Sequence, residues 1–142
     1  MNSPEVGQHP NRTRASVSCT LGAVPVRLRP GDPGEVAAAL TRFRSGDADQ
    51  ADLRLLTKHL LALLVARAPG GAVEVRVPPF AVAQCVEGTR HTRGTPPAVV
   101  EMDPATWVAL AVGDLAWTAA ADAGRVHASG ERSDLSPLLP LA

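Results

Sequence analysis

Near the middle of the chain the spacing of apolar residues changes at a single place. Up to residue 68, leucines recur three and four positions apart; after Pro69, Gly70 and Gly71, valines alternate with charged residues. A period near 3.6 gathers side chains on one face of a helix, and a period of two gathers them on one face of a strand. Proline followed by two glycines cannot continue a helix and marks a turn. The chain therefore runs a leucine-rich helix directly into a half-buried strand, and each apolar face is the available cover for the other. A helix laid on a sheet is the architecture this implies.

The flanking segments extend the pattern. Asp32-Pro33 is a helix start, an acidic cap with proline at the first helical position, and Val36, Leu40 and Phe43 form a stripe that ends at Ser45-Gly46. Asp47 or Asp49 caps the second helix, which reaches about residue 68 with Leu53, Leu56, Leu60, Leu63 and Leu64 as its apolar set. Leu55, Leu61 and Val65 widen that set beyond one stripe, so the helix is buried on two sides or covered by a neighbour. Val73, Val75 and Val77 face one way, Glu74 and Arg76 the other. After Pro78-Pro79 come a strand over 81–87, a turn-rich stretch over 88–97 and a third strand over 98–102, with antiparallel pairing expected between these last two.

Asp103-Pro104 repeats the cap-and-proline start for a helix carrying Trp107, Leu110 and Ala111, closed by Gly113. A short helix over 115–123, a strand over 125–129 and a last turn capped by Ser133 or Asp134 follow, the turn limited by Pro137 and Pro140. Residues 17–28 read as an edge strand or an ordered arm, and residues 1–15 as a disordered tail. The expected whole is one domain over 16–142 of α+β class, with a mainly antiparallel sheet of four to five strands covered by helices on one face.

Composition narrows the function. The 142 residues carry 14 basic and 14 acidic side chains, a balance that argues against nucleic acid as a partner. Two Phe, two Trp and no Tyr leave few stacking platforms for single strands. The longest apolar run, 60–66, is far too short for a transmembrane segment. The polar first residues lack an apolar h-region, and Cys19 and Cys85 suit a reduced cytoplasmic chain. Thirteen arginines against the single Lys58, in an Ala- and Val-rich chain, suit a high-GC bacterial genome.

The last forty residues have a recognisable order: Asp103-Pro104, an apolar helix through Trp107 and Leu110, Gly113-Asp114-Leu115, a short helix from Trp117, Gly124-Arg125-Val126 and a closing Gly130. This series resembles the C-terminal part of sterol carrier protein type two domains. The stretch over 75–101 resembles an actinobacterial subgroup of that family, and the likeness covers about 49–142. It implies an α+β domain with an apolar space between sheet and helices that takes a fatty acyl chain, an acyl-CoA or a sterol-like ligand, without catalysis. Arg125 stands where many members have lysine, and 133–141 carries two prolines where the family has a longer lid helix.

Three groups of residues are candidates for sites. Leu56, Leu60, Val75, Val77, Trp107, Leu110 and Trp117 line the expected ligand cavity, or else fill an ordinary core. Arg90, His91 and Arg93, between Gly88 and Gly94, form a basic loop suited to an anionic head group; its competing reading is a solvated loop paired with Glu87, Glu101 or Asp103. The same loop with Pro96-Pro97 supports an alternative, a protein–protein interaction or regulatory module, and a homodimer through a sheet edge is a lesser one. Cys85 shares an alternating face with Ala81 and Ala83, which is the setting of an inert thiol rather than a nucleophile for His91. His59, His91, His127 and Cys85 lack metal-ligand spacing, and no phosphate-binding or dinucleotide glycine motif follows a strand, so neither metal nor cofactor is expected.

Overall fold

The structure, a computed structural model, describes residues 28–88 and 98–141. The expected tail, most of the 17–28 segment and the basic loop residues Arg90, His91 and Arg93 lie outside the described residues; Leu28 packs at the margin of the core.

Helix α1, Pro33–Ser45, begins where Asp32 accepts a hydrogen bond from the Glu35 N–H and ends at Gly46 in the left-handed region (φ 85°). Helix α2, Gln50–Arg67, takes Asp49 as its cap in a reciprocal box. The Asp49 carboxylate accepts from the Asp52 N–H at 2.9 Å and the Asp52 carboxylate from the Asp49 N–H at 3.3 Å. Asp52 also receives a two-pronged bond from Arg42 at 2.7 and 2.8 Å, which locks α1 onto α2. The guanidinium's hydrogen bonds hold the Asp52 carboxyl down to about 2. A second tie runs from the Gly31 N–H to His59 Nδ1 at 2.9 Å.

The chain then forms β1, Val73–Val77, β2, Ala81–Cys85, and β3, Ala98–Met102. Helix α3, Pro104–Ala111, follows, capped by Asp103, and then helix α4, Trp117–Asp122, strand β4, Val126–Ser129, and a 3-10 turn at Ser136–Leu138. The sheet order is β2-β1-β3-β4. Two of its three ladders are antiparallel, but β3 pairs with β1 in parallel, Val73 opposite Ala98 and Val75 opposite Val100. The expected β2–β3 pairing is therefore corrected to β1–β3. The hairpin returns the chain to its starting end, so the third strand runs in the direction of β1. It settles on the free edge of β1, the strand whose three valines are fully buried. β2 is also two residues shorter than expected, because Val86 adopts φ 69°. There its N–H donates to Ala68 and its carbonyl accepts from Ala72, in place of a ladder bond.

Alternation in β1, β2 and β3 sends one set of side chains into the core and leaves the other half-buried or exposed. Helices cover the buried face: α1 packs on α2, α2 on α3 and β2, and α4 on β4. On the open face Val82, Arg76, Glu101 and His127 stand in one row across the sheet.

Candidate functional site

The residues that the sequence marks for a ligand space converge. Val75 and Val77 rise from the central strand, Leu56 and Leu60 descend from α2, and Trp107 and Leu110 come from α3. All belong to one apolar cluster, with Trp117 packed at its edge from α4. Their exposure is 0% for the two valines and Trp107, 1% for Leu56 and Leu110, and 2% for Leu60. Side chains with so little accessible surface touch one another rather than a void, so sheet and helices are closed upon each other in this conformation.

Two features of this layer are polar. Trp107 donates its indole N–H to the Thr57 carbonyl of α2 at 3.3 Å, joining the helices across the core. The Thr57 hydroxyl has no hydrogen-bond partner, although the residue is fully buried. Periodicity places Thr57 among the buried leucines of α2, but its bonding state is invisible in a pattern of apolar and polar letters.

The C-terminal segment closes one end of the layer. Leu135 is fully buried and Leu141 nearly so. Arg67, the last residue of α2, donates through Nη1 to the carbonyls of Leu138 and Pro140 at 2.9 and 2.8 Å. The Leu141 N–H donates to the carbonyl of Ala111, the last residue of α3, at 2.7 Å. This short strap thus spans the ends of both helices.

Two hollows open onto solvent. One, of about 330 Å³, lies at the β1–β2 turn between Arg76, Pro78, Pro79, Phe80 and Val82, where the Arg54 guanidinium sits 5.5 Å from the centre of the Phe80 ring. Val82 beside it is 56% exposed, and Arg76 pairs with Glu74. The other, of about 450 Å³, is bordered by Pro78, Glu101, Asp103, Arg125 and His127. Burial pushes the Asp103 carboxyl up, but hydrogen bonds from the Thr106 hydroxyl and N–H outweigh it and hold the group below the usual carboxylate range. Arg125 in turn donates to the Thr106 hydroxyl at 3.1 Å. Both hollows are shallow; the second touches the edge of the buried cluster at Met102, and neither is lined by Val75, Leu56, Leu60 or Trp107.

The chemistry-bearing side chains stand apart. Burial pushes the Cys85 thiol up to about 11, which leaves little thiolate at neutral pH. His59 is spent on Gly31, and His127 lies on the open face. Among the described residues no group of three or more His, Cys, Asp or Glu is placed to hold a metal ion, and no helix is long and apolar enough to cross a membrane.

Comparison with known proteins gives one family. Residues 49–141 match a family model described as bacterial SCP ortholog. No curated protein matches the chain.

Proposed function

From the premise that this chain belongs to the bacterial SCP ortholog family, one of sterol carrier protein-like proteins, we propose that it binds and carries an apolar molecule between its sheet and its helices. A lipid carrier role in general follows from the family. The finer reading is that the ligand, a fatty acyl or sterol-like molecule, lies against Leu56, Leu60, Val75, Val77, Trp107, Leu110 and Trp117.

The observation that carries this reading is the one-sided sheet. Its buried face meets α2 and α3 through a cluster that is apolar apart from the buried threonines Thr57 and Thr106, so parting the two layers exposes a largely apolar slot. In the closed form those side chains fill the space themselves, and a ligand is admitted as the layers separate. The C-terminal strap is suited to govern that step, because three hydrogen bonds and the side chains of Leu135 and Leu141 hold it across the helix ends. Burial of a twelve-carbon chain supplies roughly 10 kcal/mol, at about 0.8 kcal/mol per carbon, against which the cost of opening is set. That gain scales with chain length, so affinity rises with each added carbon until the slot is full.

The test is native mass spectrometry of the purified protein, with extraction of whatever it retains and titration with alkyl probes of increasing length. A bound apolar molecule, or affinity that climbs with chain length, supports carriage. A protein that retains nothing and takes up no probe contradicts it.

A further inference from the structure

Three polar side chains are buried among the described residues, Asp52, Thr57 and Thr106. Two are accounted for: Asp52 is held by Arg42, and the Thr106 hydroxyl is bonded to Asp103 and Arg125. Thr57 alone has a side-chain oxygen without a partner. A threonine within a helix has a ready solution, donation to the carbonyl four residues back. Thr41 in α1 takes it, bonding to the Ala37 carbonyl at 3.0 Å. Thr57 does not, and a hydroxyl buried without a partner is costly where valine would fill the same volume at no such penalty.

Its place in the fold gives that hydroxyl a use. Thr57 lies on the face of α2 that carries Leu53, Leu60, Leu61 and Leu64, and its carbonyl is the acceptor of the Trp107 indole. We infer that Thr57 Oγ1 is the anchoring point for the single polar atom of an otherwise apolar ligand, and that the head group held there is a neutral hydroxyl, as in a fatty alcohol. The inference rests on the carriage reading above and adds to it the head-group chemistry. Neutrality follows from the surroundings. Among the described residues no Lys, Arg or His is buried, so a carboxylate brought to Thr57 would have no buried cation to pair with. A hydroxyl can both donate to Thr57 Oγ1 and accept from it, and so completes the one unmet bond in the layer.

The experiment is a cycle of two probes and three proteins. Binding of dodecan-1-ol and of dodecane is measured for the wild type, Thr57→Val and Thr57→Ser, with the Trp107 indole N–H resonance as the readout. Thr57→Val is expected to weaken dodecan-1-ol two- to tenfold, the equivalent of one net hydrogen bond, while leaving dodecane unchanged or tighter. Thr57→Ser is expected to retain the wild-type discrimination. A nuclear Overhauser contact between the carbinol methylene of bound dodecan-1-ol and the Thr57 methyl group, sought in the wild type, needs no variant and guards against a Thr57→Val chain that fails to fold. Binding of both probes with no change at Thr57→Val, or without that contact, overturns the anchor and leaves carriage standing. Binding of neither probe overturns carriage and the anchor with it.

Discussion

Trp107→Ala is the perturbation that most sharply probes how the layers are held. The ring is fully buried in the cluster between β1 and α2, and its N–H reaches the Thr57 carbonyl. Truncating a buried tryptophan costs about 3–5 kcal/mol, which combines lost burial, a cavity and one net hydrogen bond of about 1 kcal/mol. A domain of this size has roughly 5–15 kcal/mol to lose and shifts by about 4 °C per kcal/mol, so Tm is expected to fall by about 12–20 °C. Trp107→Phe keeps an aromatic ring but surrenders the N–H and part of the area; about 1–2 kcal/mol and 4–8 °C are expected. Val82→Thr on the open face is the control, expected within about 2 °C of wild type because that side chain is 56% exposed. Thermal unfolding followed by far-ultraviolet circular dichroism reads all three without relying on the altered tryptophan. A Trp107→Ala melt within about 3 °C of wild type would refute the reasoning, since the helices would then be joined to the sheet by something else. Equal losses for the Phe and Ala variants would place the energy in the hydrogen bond rather than in the ring.

Other consequences are equally specific. A Cβ on Gly70 (φ 144°) would stand 2.2 Å from the Val86 carbonyl oxygen, so Gly70→Ala is expected to cost at least about 2 kcal/mol in denaturant titration; an unchanged midpoint would mean the turn is not packed on β2 in this way. Burial lowers His59 below its ordinary 6.5, and the Gly31 N–H requires Nδ1 to be unprotonated. The unfolded chain therefore binds the proton more readily than the folded one. This contribution is complete above pH 6.5 and is lost as pH falls from there through the folded value. His59→Gln is expected to flatten the Tm–pH curve in that window, and a curve of unchanged slope would contradict the assignment. In a Cys19→Ser background, Cys85 is expected to resist Ellman's reagent until the protein is unfolded; rapid reaction of the native protein would show that the thiol is accessible.

Much of this architecture can be read from local chemistry. The break at Pro69, Gly70 and Gly71 separates helix from strand because backbone geometry and side-chain period change together there. Asp103-Pro104 starts a helix for reasons contained in two residues. The neighbour chosen by β3 is not local: its sequence suits either partner, and the choice falls to the edge of β1 left free once β2 has paired. Val86 shortens β2 against its own preference, since a β-branched residue rarely adopts φ near 69° and is held there by bonds to Ala68 and Ala72. The seven residues expected around a ligand do lie together. Yet periodicity cannot distinguish a side chain that touches a ligand from one that touches its neighbour, because both must be apolar and turned inward. Thr57 escapes for a related reason: its position on the helix reveals burial, whereas the missing hydrogen bond exists only once all the surrounding atoms are in place.

The most direct measurement is a titration of methyl-labelled protein with dodecan-1-ol, followed by nuclear magnetic resonance. Carriage between the layers requires the methyl groups of Leu60, Val75 and Leu110 to shift and to show contacts with the alkyl chain, while Val82 on the opposite face stays unchanged. Shifts confined to Val82 and the β1–β2 turn, with the interior methyls silent at saturating probe, would contradict it.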